Sequence, residues 1–237
     1  MSTSVSMSNG VKQAAISWSA GKDSCLALLR AREQGLRVAH FLTMCDADGK
    51  SKSHAMAPEL IDAQVRALGG QPWRVNVADG VPGEYARCFD QSLHALHKAG
   101  CSHMVFGDID LQAHRDWLVP RCEAAGLTPV FALWGEPRAA LAREVLRRGI
   151  RARIVCVDTA LLDARFCGRD YDAQCLAELP PGVCPCGEDG EFHTFVHDAP
   201  GMATPLAIES AGTEEVASVP PFRPTRFVFD RLRLRAS

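Results

Sequence analysis

No stretch of this 237-residue chain approaches the roughly 18 to 20 consecutive apolar residues that a membrane span needs, so a bilayer-crossing helix is not expected. Net charge is also nearly absent. Twenty-six Lys and Arg against 28 Asp and Glu leave a formal charge of −2 and a pI near 6.4, with no basic field to draw in nucleic acid or anionic lipid. Residues 1–10 are polar and lack the charged head and apolar centre of a secretory signal, which makes the cytoplasm the expected compartment and disorder the expected state of that leader. Internal repeats and low-complexity tracts are missing. The ten cysteines are scattered along the chain and do not form a small disulfide framework, so buried reduced thiols account for most of them. What is present, 47% hydrophobic and 23% charged residues, is the composition of an ordinary globular protein long enough for one large or two small domains.

Periodicity then organises the chain. Residues 11–18 mix β-branched and apolar side chains and run into Ser19-Ala20-Gly21, which reads as a strand entering a tight turn. A helix over 23–34 follows, with Cys25, Leu28 and Leu29 at helical spacing and Gly35 as its stop. Residues 36–45 form a second, largely apolar strand, and the cycle repeats: a helix on Ile61, Val65 and Leu68, a strand at 73–77, a helix on Tyr85, Phe89, Leu93 and Leu96, a strand at 103–106, a helix at 113–124 and a strand at 129–133. Strands alternating with helices of this length predict βαβ units, and hence an α/β fold with a parallel sheet covered by helices on both faces. Ligands of such sheets bind beyond the carboxyl ends of the strands. Past Trp134 the rhythm changes to a helix at 137–148, a strand at 154–158, a Pro/Gly/Cys-rich stretch at 179–187 and short extended pieces at 191–196, 204–208 and 226–234. This predicts two domains: an α/β domain over 1–134 and a smaller mixed α+β domain over 135–237.

The densest chemistry sits at the first strand–helix junction, Ser17-Trp18-Ser19-Ala20-Gly21-Lys22-Asp23-Ser24. Small residues let backbone approach an anion, first-turn amides point at it, and Lys22 with the hydroxyls supplies charge and donors. This is a phosphate cradle. It is not a Walker A loop, which places glycine where this chain has Ile16 and Ser or Thr where it has Asp23. An ordinary helix capped by Ser19 or Asp23 is the plain alternative.

These residues carry a resemblance. Ser19-Ala20-Gly21-Lys22-Asp23-Ser24 is similar to the SGGxDS loop of the PP-loop ATP pyrophosphatases, in the adenine nucleotide alpha hydrolase superfamily. Further stretches resemble the diphthine-ammonia ligase family and its bacterial relatives: Ser53-His54, Phe106-Gly107-Asp108-Ile109 with Arg115 downstream, and the run from Cys186 to Val196, close to the signature GExGExxTxV. Leu133-Trp134 and the segment from Leu162-Asp163 to Gly168-Arg169 also fit, so the likeness extends over about residues 11 to 200.

The resemblance implies a HUP-like, Rossmann-like ATP domain and an AMP-forming ligase. ATP would be cleaved between its α and β phosphates, a carboxyl or carbonyl acceptor adenylated, and the adenylate displaced by ammonia. It also implies Mg²⁺ on the phosphates, with Asp23 as its protein ligand or as a helix cap. Lys22, Asp23, Glu188 and Glu191 are the implied catalytic residues. Ser17 through Ser24, His54, Gly107 and Asp108 would hold the nucleotide, and Arg115, Gly187, Glu188, Gly190, Glu191, His193 and Thr194 the acceptor. The acceptor would be a small-molecule or protein-borne carboxylate, and a homodimer is left open. The chain departs from the family at Ala20, where a second glycine is usual, and at His193, where the archaeal and eukaryotic ligases read Glu in the form GExGExET. The second departure agrees with the bacterial relatives, whose hosts lack diphthamide, and points away from diphthine as the acceptor.

Other readings keep their place. His54 could simply cap or pack, and Glu188 and Glu191 could be solvated acids of a turn. Cys184, Cys186, His193 and His197 lie close enough in sequence for a zinc site, although a single residue between the cysteines is tighter than structural zinc prefers. A nucleotide-binding sensor without chemistry is the rival from another class, and the paired carboxylates argue against it. A ligase using another nucleophile is the rival among enzymes.

Overall fold

In the computed structural model, residues 12–52, 54–218 and 224–235 are described. The expected disordered leader at 1–10 and Ser53 of the Ser53-His54 pair lie outside them. The chain runs β1 (Gln13–Ser17), α1 (Lys22–Glu33), β2 (Arg37–Cys45), α2 (Pro58–Ala67), β3 (Gln71–Asn76), α3 (Glu84–Lys98), β4 (His103–Phe106), α4 (Gln112–Ala124), β5 (Thr128–Phe131) and α5 (Arg138–Arg147). It continues through β6 (Arg151–Asp158), a short 3₁₀ turn (Ala164–Phe166), α6 (Ala173–Glu178), β7 (Phe192–Asp198), β8 (Ile208–Ala217) and β9 (Arg226–Leu234).

The first five strands form one sheet in the order β3-β2-β1-β4-β5, with every neighbouring pair parallel. Alternation along β1 shows why both faces must be covered. Ala14 and Ile16 join an apolar cluster with Leu26, Leu29, Leu60 and Val65 of α1 and α2, while Ala15 joins a second cluster with Phe89, Leu93 and Leu118 of α3 and α4. The α/β expectation with helices on both faces therefore holds. Strand order reverses at β1, where the chain turns out towards β2 and later returns as β4, and the crevice beyond the carboxyl ends of β1 and β4 is the natural ligand position.

The second sheet is antiparallel, in the order β7-β6-β9-β8. Its apolar residues Ile154, Val157, Phe192 and Phe195 belong to the same cluster as α1 and the α5 residues Leu141 and Val145, so α1 is packed between the two sheets. The extended piece expected at 204–208 is a correction. Only Ile208 of it is strand, and β8 continues from there to Ala217, with exposed side chains from Ser210 onward. Among the described residues no helix is long and apolar enough to cross a membrane.

Candidate active site

A cavity of about 270 Å³ opens where the sheet argument places it. Ser17 and Ser19 reach it from the end of β1, Lys22, Asp23 and Ser24 from the first turn of α1, and Gly107 and Asp108 from the end of β4. The opposite wall comes from the second half of the chain: Cys186, Gly187, Glu188 and Gly190 of the loop before β7, then Phe192, His193 and Thr194 of β7 itself.

The near wall is the N-terminal end of α1. Gly21 is its N-cap and brings no side chain of its own, while Thr194 Oγ1 of β7 accepts from the first helical amide, that of Lys22. Ser19 Oγ accepts from Gly21 N at 3.2 Å and lies 3.1 Å from Ser24 Oγ. Gly107 has to be glycine, because a Cβ there would stand 2.9 Å from Ser24 N, against the backbone of the first turn. A Cβ on Gly21 would meet His54 Cε1 at 2.7 Å. Both glycines thus serve close approach, and neither has a left-handed backbone. The left-handed position is Ala20, with φ of 71°. Its Cβ carries the strain that the family's usual glycine avoids.

Lys22 is 2% exposed and joins the two walls. Its backbone N donates to Thr194 Oγ1 at 3.1 Å, and its Nζ donates to Asp23 Oδ2 at 2.7 Å and to the carbonyl of Cys186. Burial by itself would lower the Lys22 pKa, but Asp23, Cys186 and Glu188 together carry it above its ordinary value, so the ammonium stays charged. The other oxygen of Asp23, Oδ1, is buried and has no hydrogen-bond partner among the described residues. Glu188 faces this pair from the far wall. Burial, then the charge of Asp23, pushes its carboxyl up to about 7. At the rim Asp108 Oδ1 lies 2.9 Å from His114 Nδ1.

Not every expected residue arrives at the cavity. Trp18 turns inward, stacks edge-on against Phe41 and donates its Nε1 to Gln64 Oε1 at 2.8 Å, so its side chain is core and not nucleotide contact. Ala20 is fully buried beneath the loop. Arg115 leaves the site altogether, its guanidinium lying 4.7 Å over the Trp134 ring and 5.4 Å over Phe131. Glu191 is the main correction. It is 3% exposed, and its two oxygens accept from Cys184 N at 2.6 Å and Asp189 N at 3.1 Å, so the carboxylate is used up in holding the loop. The zinc constellation is not assembled either. Cys186 Sγ donates to Arg138 O and Cys184 Sγ accepts from Arg138 Nη1. His193 lines the main cavity while His197 lines another beside Asp170, and among the described residues no group of three or more His, Cys, Asp or Glu could hold a metal.

Three contributors escaped sequence reasoning. Gln64 is wholly buried on α2, and besides accepting from Trp18 it donates to Ala20 O at 3.1 Å and Val196 O at 2.5 Å, which fixes the phosphate loop to β7. Arg138 at the start of α5 pairs with Asp110 at 2.7 Å and Asp189 at 2.9 Å, tying the loop after β4 to the acidic loop. His114 sits at the rim. A lone amide among the apolar positions of α2 was the only visible signal for Gln64; Arg138 and His114 had none.

Residues 12–129 match the diphthamide synthase N-terminal domain, and residues 137–216 match the diphthamide synthase C-terminal domain. A human diphthine--ammonia ligase is 30% identical over 217 residues, covering 81% of each chain, and its rat counterpart is 23% identical over 221 residues with the same coverage. A solved structure described as a predicted subunit of tRNA methyltransferase from Methanocaldococcus jannaschii is similar over 79% of this chain and 98% of that one, at 15% identity and a TM-score of 0.45. With both family models matched in order and a 30% identical relative covered over 81% of its length, this chain belongs to the diphthine-ammonia ligase (diphthamide synthase) family.

Proposed function

We propose that the protein is an ATP-dependent ligase that adenylates a carboxylate acceptor, releases pyrophosphate, and passes the activated acyl group to ammonia to give an amide and AMP. The observation that carries this is the charged Lys22 at a helix N-terminus whose cap residue is glycine, set at the switch point of a parallel sheet and faced by Glu188 across one cavity. The curated relatives are named for joining ammonia to diphthine, which supports a ligase.

The residues divide the work by position. Phosphates at the head of α1 meet the first-turn amides, the Ser19 and Ser24 hydroxyls and the Lys22 ammonium, donors that neutralise charge growing on a leaving pyrophosphate. Asp23 is the residue that would hold Mg²⁺: its Oδ1 is buried and unpartnered among the described residues, and this ion asks for only one or two protein carboxylates besides phosphate oxygens. Bound there, the metal supplies neutralisation of phosphate charge. Glu188, already held near 7, is pushed further towards its neutral form by phosphates beside it, so it can donate a hydrogen bond to an acceptor oxygen without repelling the nucleotide. Gly187 keeps the surrounding loop backbone close, a Cβ there coming within 2.5 Å of Phe192 O, whereas Gly190 has open space around it and supplies a left-handed turn at φ of 89°. His193 stands where the archaeal and eukaryotic ligases carry Glu, so the acceptor end of this cavity is built for a different carboxylate from theirs.

Radiolabelled pyrophosphate exchange into ATP, run over a panel of small and protein-borne carboxylates, tests the reading. A productive acceptor gives exchange, and with ammonium chloride added the nucleotide product is AMP. ADP as the product, or no binding of ATP at all, would overturn it.

A further inference from the structure

Of the three imidazoles that line the cavity, those of His54, His193 and His114, one is held by a carboxylate. His114 lies in the first turn of α4, and its Nδ1 is 2.9 Å from Asp108 Oδ1. A carboxylate only accepts hydrogen bonds, so Nδ1 carries a proton and the neutral ring keeps its lone pair on Nε2. That nitrogen has no hydrogen-bond partner among the described residues. Asp108 is fixed from both sides. Gly107 packs so tightly on the first turn of α1 that a Cβ there would stand 2.9 Å from Ser24 N and 3.0 Å from Asp23 C, which starts Asp108 one peptide away from the phosphate cradle. Ile109 is fully buried, and its carbonyl accepts from Gly135 N at 2.8 Å. The ring that this carboxylate orients belongs to a side chain 62% exposed, so it can pass a proton to water. His54 differs, being buried and stacked on His193 with centroids 4.6 Å apart. Lys22, Asp23 and Glu188 are the other charged groups on the cavity wall, and the Lys22 ammonium is paired with Asp23 at 2.7 Å. An imidazolium at His114 has Asp108 as its counter-charge, an arrangement in which the carboxylate orients and stabilises a base without taking its proton.

We infer that His114 is the general base of amide formation, with Nε2 taking the proton that ammonia sheds as it attacks, and that Asp108 is its positioning residue. This rests on the adenylation reading above. In the step, the ammonia lone pair forms the C–N bond to the acyl carbon, and the C–O bond to the adenylate phosphate breaks with its electron pair leaving on AMP. A nitrogen that has given up its lone pair is positively charged, which makes its N–H bonds strongly acidic, so an imidazole is base enough. The surplus proton goes to His114 Nε2 and from there to solvent.

The test separates the two half-reactions. His114→Gln keeps an N–H donor for Asp108 and removes the titratable nitrogen, so a merely structural clasp survives it and a base does not. With the carboxylate that gives the fastest pyrophosphate exchange, the variant should exchange at the wild-type rate. It should also form hydroxamate when hydroxylamine replaces ammonia, since that nucleophile attacks activated acyl groups without a base. With ammonium chloride its kcat for the amide should fall about a hundredfold or more at unchanged KM for ammonium, the scale of a lost general base. Spectra of ¹⁵N-histidine-labelled protein at pH 8.5, assigned by the resonance missing from His114→Gln, should show the His114 proton on Nδ1. Asp108→Ala should move it to Nε2, the tautomer that free imidazole side chains prefer. A proton on Nε2 in the wild type, or loss of exchange and hydroxamate along with the amide in His114→Gln, would overturn the base. If the wild-type protein gives neither exchange nor hydroxamate with any carboxylate, the adenylation reading fails and this inference with it, whereas wild-type exchange beside unaltered amidation in His114→Gln sinks the base alone.

Discussion

The loop at the head of α1 is braced from behind by a neutral amide, Gln64, whereas the loop facing it across the cavity is braced by charge, through Arg138 on Asp110 and Asp189 and through Glu191 on two backbone amides. The proposed ligase function accounts for this by what each loop would receive. An incoming triphosphate brings several negative charges, so a carboxylate bracing the first loop would compete with it, while an amide holds carbonyls in place and stays neutral. On the proposed reading the acidic loop would meet the acceptor and hold Glu188 inward against Asp23, with the carboxylate of Glu191 anchoring the loop behind it. Two glutamates three positions apart therefore do opposite jobs, and only their partners tell them apart.

The sharpest way to break the comparison is at Lys22, whose Nζ donates to Asp23 in the first turn of α1 and to the Cys186 carbonyl of the acidic loop. Lys22→Met keeps the apolar stem and removes the ammonium. Nucleotide affinity and pyrophosphate exchange should fall by about a hundredfold or more, the scale of losing a preorganised charged donor. Measured by calorimetry and exchange, unchanged values would detach the cavity from ATP.

Gln64→Leu attacks the neutral brace. It leaves the Trp18 indole N–H and the Val196 carbonyl buried without partners, while Ala20 O keeps its bond from Val196 N. The expected cost is about 2 to 4 kcal/mol in urea unfolding, with weaker nucleotide binding as the loop loosens. A variant as stable as wild type would show that the loop does not depend on this brace.

The two glutamates give the next step down. Glu191→Gln presents an amide N–H₂ to a backbone donor that needs an acceptor, and should cost about 1 to 3 kcal/mol by thermal unfolding. Glu188→Gln should lower the rate with acceptor and spare the fold. The pH dependence separates them further. Glu188 has a folded pKa of about 7 against an ordinary 4.5. It therefore binds its proton more tightly when folded, favours folding while protonated, and loses that contribution as pH rises from about 4.5 to about 7. Wild type should lose roughly 1 to 3 kcal/mol across that window relative to Glu188→Gln, and parallel curves for the two proteins would remove Glu188 from its buried position.

How much of this was readable in the residues follows from the kind of signal. The parallel sheet was legible because strands buried on both faces read as apolar runs spaced by amphipathic helices, and the 103–106 strand agrees to the residue. The cradle was legible because its chemistry is local: cap, lysine and hydroxyls lie within one turn. β8 was not, since its largely exposed side chains carry no alternation and its position comes from pairing with β9. Glu191 was misread as a catalytic group because a carboxylate in a glycine loop looks the same whether it faces substrate or its own backbone. Arg115 and Trp18 shared that fate: their neighbours in space, Trp134 and Gln64, are remote in sequence.

Ala20 offers the smallest and most discriminating change, because it tests whether the amide-braced loop has slack. At φ of 71° the Cβ costs roughly 1 to 2 kcal/mol, which Ala20→Gly would recover. Against that stand the extra freedom of glycine in the unfolded chain, about 0.5 to 1 kcal/mol, and the lost burial of one methyl group, about 0.8 kcal/mol. The terms nearly cancel, so urea midpoints should stay within about 1 kcal/mol of wild type. Affinity is a separate matter. The Ala20 carbonyl is held by Val196 N at 3.0 Å and Gln64 Nε2 at 3.1 Å, bonds that involve no side chain of residue 20 and survive the substitution. The loop should keep its shape and bind ATP equally well or more tightly. A clear loss of ATP affinity at unchanged stability would mean that the alanine methyl itself stiffens the cradle, and that the strain is part of how this chain presents its helix end.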